Sequence, residues 1–338
     1  MSLALSNILS PMKRAMSRTI CAPSVALAVV AFAFQLSAQT AVDEPIPSAS
    51  PIASLQLTPE IATQLQTAVE GHEYLTAEKL LLPEIEHDTQ SVRGARLLAY
   101  IGTIYFLNHD YLNAAVAWKK SESITPLQPD LRFSEAMVYV HMGHPEWART
   151  ALKSLATENP RDALYPYWLG RLDYDGHEYK EAIQHFQRAI ELDPRLARAY
   201  DNIGLCYFYE NQNDLAVASY EKAIALNREA GRPSPWPHLN LAITQQFLNQ
   251  LSQAEANLRE ALRLDPGFAK AHFQLGTVLE DLHQPKAALV ELKEAARLEP
   301  TYPEPHMALA RIYHKMGQEA DAREEVKTYL HLHPHSAP

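Results

Sequence analysis

Apolar positions along this chain follow a helical spacing, and the blocks they form then recur at a longer interval. Tyr200, Ile203, Gly204 and Tyr207 stand at i, i+3, i+4 and i+7, one face of a helix. Ala216, Tyr220 and Ala223 mark a second helix in the same way. Between them runs Glu210-Asn211-Gln212-Asn213-Asp214, polar and rich in residues that cap helices or accept left-handed backbone. The block therefore reads as helix, turn, helix.

Three linked columns carry this block through the chain. Alanine recurs at Ala114, Ala148, Ala182, Ala216, Ala254, Ala288 and Ala322. Twelve residues before each stands a small residue: Gly102, Ala136, Gly170, Gly204, Ala242, Gly276 or Ala310. Four residues after each stands a bulky apolar one: Trp118, Leu152, Phe186, Tyr220, Leu258, Leu292 or Val326. The small columns let two helix backbones approach closely, and the bulky column fills the gap to the next pair. Prolines at Pro126, Pro160, Pro194, Pro266, Pro300 and Pro334 are spaced 34, 34, 72, 34 and 34 residues apart and end each second helix. The long interval is 34 plus 38, and Gly231-Arg232-Pro233-Ser234-Pro235 is read as a four-residue insertion that lengthens one loop.

A 34-residue helix–turn–helix period with these columns resembles the tetratricopeptide repeat family. The resemblance implies an all-α fold, a right-handed α-solenoid of stacked hairpins. Seven units are expected over residues 95–336, starting near 95, 129, 163, 197, 235, 269 and 303. Residues 58–94, with Ala77 and Leu81 in the alanine and bulky columns, read as a degenerate capping repeat. Some positions depart from the pattern. His238, His272 and His306 replace a first-helix aromatic, and Glu135 and Asp173 stand where the family has apolar residues, weakening local packing without breaking the period.

The resemblance also implies a groove lined by first helices that receives extended peptides. Its expected lining in the middle units is Tyr167, Arg171, Tyr174, Arg198, Asp201, Asn202, Leu205 and Tyr209. Further along it continues with Trp236, Asn240, Ile243, Phe247, Lys270 and Gln274. Aromatic rings with Arg and Asn are the composition of a recognition surface. Asn202, Asn240 and Gln274 are equivalent in three consecutive units, and a ladder of carboxamides can both donate to and accept from a peptide main chain. This is similar to the asparagine ladder in the repeat domain of the enzyme that attaches N-acetylglucosamine to proteins. Three solvated polar residues on an open helix face are the alternative. The carboxylate clamp of the chaperone-tail-binding members is incomplete: Asn202 matches one of its Asn residues, but Arg171 stands at another Asn position and its lysines are absent.

Composition narrows the picture. The chain is 47% hydrophobic and 21% charged, and 11 glycines in 338 residues are too few for an architecture of tight β-hairpins. Lys13, Arg14 and Arg18 precede the apolar run Ser24–Phe34, which is short for a membrane span and leads into Gln35-Leu36-Ser37-Ala38-Gln39. That order is a secretory signal peptide over residues 1–38, with an uncleaved membrane anchor as the alternative and Met1 or Met12 as the start. Residues 39–57, with Pro45, Pro47 and Pro51, read as a flexible linker. Removing the leader takes the formal charge from −10 to −13, and no basic run remains to engage a phosphate backbone, so nucleic acid is not an expected partner. Cys206 is then the single cysteine, expected as a buried structural thiol.

Catalytic and cofactor motifs are missing from the sequence. There is no Gly-x-Ser-x-Gly, Cys-x-x-Cys or His-Glu-x-x-His, and His177-Glu178-Tyr179-Lys180-Glu181 reads as a charged hairpin turn. His238, His272 and His306 lie a helix diameter apart, too far for one ion, and are expected to pack. The tail His331-Leu332-His333-Pro334-His335 offers at most adventitious metal capture. The expectation is a non-catalytic scaffold, exported to a periplasm or secreted, that binds protein or peptide and needs no cofactor or small-molecule substrate. A subunit or assembly factor of a cell-envelope secretion or outer-membrane complex, and an accessory module of an enzyme, are the alternatives.

Overall fold

The computed structural model describes residues 52–333, so the expected signal peptide and the first part of the expected linker lie outside the described residues. Those described residues hold sixteen α-helices, one short 3-10 turn and no strand. In chain order the helices are α1 (Pro59–Glu70), α2 (Tyr74–Glu86), α3 (Val92–Leu107), α4 (Tyr111–Glu122), α5 (Pro129–His141), α6 (Pro145–Glu158), α7 (Leu164–Asp175) and α8 (Tyr179–Leu192). They continue as α9 (Ala197–Tyr209), α10 (Asn213–Glu229), α11 (Trp236–Phe247), α12 (Leu251–Leu264), α13 (Ala269–Asp281), α14 (Pro285–Leu298), α15 (Glu304–Lys315) and α16 (Glu319–Leu332). Odd and even helices pair into hairpins whose starts follow the period read from the sequence. The described residues form two compact units, residues 52–226 and residues 227–333.

The three columns are the hairpin cores. Six of the seven column alanines are fully buried and Ala322 is nearly so, as are all the bulky residues from Trp118 to Leu292. Val326, in the last hairpin, is half-buried. The α1–α2 hairpin carries the same pattern, with Ala77 and Leu81 both at 0% exposure. Cys206 is buried as expected, and burial pushes its thiol well above the ordinary range.

Every hairpin turn places one residue at positive φ: His72, His109, Gly143, His177, Asn211, Asn249, His283 and Gly317. The amide of the next residue then reaches back to close the helix, as in Glu178 N–H to Asp173 O at 2.8 Å and Gln212 N–H to Tyr207 O at 2.8 Å. Histidine holds half of these positions although glycine and asparagine are the usual occupants. Three of the four rings bond the tyrosine two residues on: His72 to Tyr74 at 2.9 Å, His109 to Tyr111 at 3.1 Å and His177 to Tyr179 at 3.0 Å.

Two expectations are corrected here. Residues 52–57 of the expected linker are packed. Ile52–Leu55 forms a 3-10 turn, Leu55 is fully buried, and Arg96 donates to the Ser54 carbonyl at 2.9 Å. Ile52, Leu55 and Leu57 supply apolar bulk that the preceding Pro- and Ser-rich stretch lacks, and they join the core built by α1 to α4. The second correction concerns the four-residue insertion, which lengthens a helix as well as a loop. Helix α10 runs 17 residues, to Glu229, where α8 and α12 run 14. The reason is visible at Arg228, which occupies the place where the period puts a helix-ending proline.

Glu135 and Asp173, expected to weaken packing, are instead buried and paired. Asp173 accepts from Arg149 and is hydrogen-bonded by His185, so its carboxyl stays below the usual range even though burial alone would raise it. Glu135 sits 3.2 Å from the Lys119 ammonium.

Candidate functional site

The N-terminal ends of three first helices in the 227–333 unit present one column: Trp236, Lys270 and Glu304, at intervals of 34 residues. Trp236 is half-buried and stands edge-on to Phe268, with ring centroids 4.7 Å apart. The Lys270 ammonium lies 5.5 Å from the centre of the Trp236 ring, within cation–π range. Burial lowers the Lys270 pKa, opposed by the charges of Glu299 and Glu304. Burial likewise raises the Glu304 carboxyl, which is 8% exposed and whose Oε2 has no hydrogen-bond partner. The ring and the ammonium over it can take an apolar group together with a hydrogen-bond acceptor, while the Glu304 oxygen is closed off from solvent. Glu304 was not among the expected site residues, and its signal was its position one period after Lys270.

In the 52–226 unit the corresponding first-helix face belongs to α7 and α9. Arg198 lies over the Tyr167 ring at 4.6 Å, and Tyr209 stacks on Tyr179 with centroids 4.6 Å apart and planes 3° from parallel. Arg198 and Tyr209 keep partial exposure. Arg171 is 1% exposed, 5.7 Å from the Trp168 ring, with Nη1 donating to the Tyr167 hydroxyl at 3.4 Å.

The remaining expected residues are corrected as to exposure. Tyr167, Tyr174, Asp201, Asn202, Leu205, Asn240, Ile243 and Gln274 are all buried, while Phe247 is exposed and Lys270 half-buried. The carboxamides do not form an open ladder. Asn202 Nδ2 donates to the Tyr167 hydroxyl at 3.2 Å and to the Arg198 carbonyl at 2.8 Å, and Gln274 Nε2 donates to Gln246 Oε1. The physical reason is packing against the neighbouring first helix, as Asn202 on Tyr167 and Gln274 on Gln246 show.

The histidine column packs within its own hairpins. His238 meets Asn257 at 3.0 Å, His272 meets Glu291 at 2.7 Å and His306 meets Glu325 at 2.7 Å, each partner 19 residues on and on the second helix. Among the described residues no group of three or more His, Cys, Asp and Glu is placed to hold a metal ion.

A stack of two-helix hairpins with small-residue contacts and a left-handed turn residue in each defines a helical-repeat array. Tetratricopeptide repeat models match residues 197–229, 239–303 and 279–338, and a TPR repeat model matches residues 170–209. Residues 170–229 and 239–338 are therefore tetratricopeptide repeats. A tetratricopeptide repeat protein from Parabacteroides merdae superposes with a TM-score of 0.61 at 17% identity, covering 82% of this chain and 99% of that one. PilW, a type IV pilus biogenesis factor, superposes with a TM-score of 0.56 at 19% identity, covering 62% and 94%. The human protein O-mannosyl-transferase TMTC1 is 26% identical over 182 residues, which are 52% of this chain and 20% of that protein. The chain spans less than a third of the length of the curated relatives it matches.

Proposed function

We propose that this chain is a non-catalytic scaffold that binds extended segments of other polypeptides on its first-helix faces. Tetratricopeptide repeat proteins mediate protein–protein interactions; what this chain engages, and where, is our reading. The observation that carries it is the pairing of Trp236 with Lys270, which offers ring and cation together. Arg198, Tyr209 and Phe247 are further accessible contacts on first helices. The buried Asn202, Asn240 and Gln274 then act as supports for these helices. The match to a transferase covers a fifth of that enzyme and brings no activity to this reading.

The same proposal places the chain outside the cytoplasm, on the basic–apolar–small order of residues 13–39. No helix of the described residues is long and apolar enough to cross a membrane, so an anchored form would depend on that segment. A second reading, an assembly factor of a cell-envelope machine, draws on the same export signal; the likeness to PilW supports it through the fold alone. Co-purification from the exported fraction with the parent and with Trp236→Ala tests the binding proposal. Partners lost with the variant support it, and an unchanged set of partners contradicts it. N-terminal sequencing of the purified protein tests export: a start near Gln39 is expected, and an intact Met1 or Met12 on a cytoplasmic form contradicts it.

A further inference from the structure

A cavity of about 330 Å³ opens between the second helices α4 and α6, with α5 as its floor. That volume is at the small end of ligand pockets. Three helical stripes converge on it. Lys119 and Glu122 come from α4, Arg132, Glu135 and Tyr139 from α5, and Trp147, Thr150, Ala151 and Ser154 from α6. The α5 and α6 sets follow i, i+3 and i+7 spacing, so each presents a single helix face.

At the inner end lies Glu135, 3% exposed, at a position where the repeat pattern expects an apolar residue. The Tyr139 hydroxyl donates to its carboxylate. Its Oε1 is 3.2 Å from the Lys119 ammonium, an ion pair, and is itself closed off from solvent. The Lys119 ammonium is better placed on Glu122, at 2.8 Å. Arg132 is committed as well, donating to Glu158 at 2.6 Å and to Ser154 at 2.9 Å. Both cations are therefore engaged, and three carboxylates face two positive charges.

Trp147 forms the outer wall and is 49% exposed, a large area for a tryptophan to leave in water. Its ring is held in place by His144, stacked at 4.1 Å, and by Tyr139, edge-on at 5.4 Å. The next cleft along the array shows what a closed version looks like. There Arg149 and His185, from α6 and α8, meet over Asp173 of α7 and seal the acid between them. In the α4–α6 cleft the acid is equally deep and the space above it is open.

We propose that this cavity receives the arginine or lysine side chain of a partner polypeptide, at a site separate from the first-helix faces. The cation enters the open part of the cleft and shares the Glu135 carboxylate with Lys119, which stays with Glu122 at the rim. The aliphatic stem lies along Trp147 and Ala151, and the residual negative charge of the rim selects for a basic group.

The test uses the full chain with ¹⁵N-labelled tryptophan, reading the Trp147 indole resonance assigned through Trp147→Phe. The probes are acetyl-Gly-Arg-Gly-amide and its Lys, Gln and Glu counterparts. The Arg and Lys probes are expected to move the resonance saturably, and the Gln and Glu probes to leave it still. Glu135→Gln keeps the shape and removes the charge, and should weaken Arg binding about tenfold. Trp147→Ala should weaken it comparably when followed through the shifts of Thr150 and Ala151, with thermal unfolding of the variant as the check on its fold. Trp236→Ala should leave the titration unchanged, so the outcome is read independently of the first-helix proposal. No movement with either basic probe, equal movement with the Gln or Glu probe, or unaltered binding by Glu135→Gln would overturn the assignment.

Discussion

Gly204 has no room for a side chain because Tyr220 occupies it: a Cβ built at Gly204 would lie 2.6 Å from Tyr220 Cε1. The same fit recurs at Gly170 against Phe186, where a Cβ would come within 2.9 Å, and at Gly276 against Leu292, at 2.6 Å. Where the small column is alanine, its partner is Leu152, Leu258 or Val326, never an aromatic ring. Each aromatic ring of the bulky column thus faces a glycine.

Gly204→Ala should therefore destabilise the chain by about 1–3 kcal/mol through overpacking. Tyr220→Leu in the Gly204→Ala background should recover part of that loss, although Tyr220→Leu alone leaves a void. Denaturant unfolding of the four members of this cycle checks it. Additive costs would mean that the two positions do not share the space.

Much of the fold was legible because the period rests on residues whose sizes are fixed by backbone approach. Ala216, Gly204 and Tyr220 announce the hairpin wherever they recur. The longer α10 was also readable, since Arg228 stands where a proline falls in other units. The burial of Asn202 and Gln274 was not, because it depends on how closely neighbouring first helices pack, a tertiary property that no spacing within one hairpin encodes. The left-handed histidines were missed for a local reason: imidazole is an uncommon occupant there, and the tyrosine two residues on was the unused clue. Glu304 needed only the extension of the Trp236–Lys270 column by one period.

His283 holds a positive φ of 59° on an exposed turn and, with Pro285 two residues on, lacks the tyrosine that His177 bonds. His283→Gly should stabilise the chain by about 1 kcal/mol by removing the left-handed strain. The midpoint of denaturant unfolding would rise. A fall would mean that the ring makes contacts worth more than the strain.

The His272–Glu291 pair predicts a pH dependence. The hydrogen bond to Glu291 raises the imidazole above its usual 6.5, against the opposing effect of burial, and the Pro266 carbonyl 3.1 Å away adds to the rise. A raised folded-state value means that the contribution is fully present below pH 6.5 and is lost as pH rises through the folded value. His272→Gln should flatten this decline in the stability of α13 and α14, read by amide hydrogen exchange across pH 6–8. An NMR titration of His272 at or below 6.5 would contradict the pairing.

Asn202→Ala removes donors to Tyr167 and Arg198 from a buried position, and should cost about 1–3 kcal/mol in stability. Unfolding experiments on the single variant check this. A stability equal to the parent's would return Asn202 to the candidates for direct ligand contact.

The central claim is that accessible first-helix side chains grip extended polypeptide. Selection from a random peptide library, followed by calorimetric titration of the winners against parent and Trp236→Ala, tests it most directly. The account predicts that peptides are recovered and that the variant weakens them about tenfold or more, with its thermal unfolding unchanged. Recovery of no binding peptide, or peptides that bind the parent and Trp236→Ala alike, would contradict it.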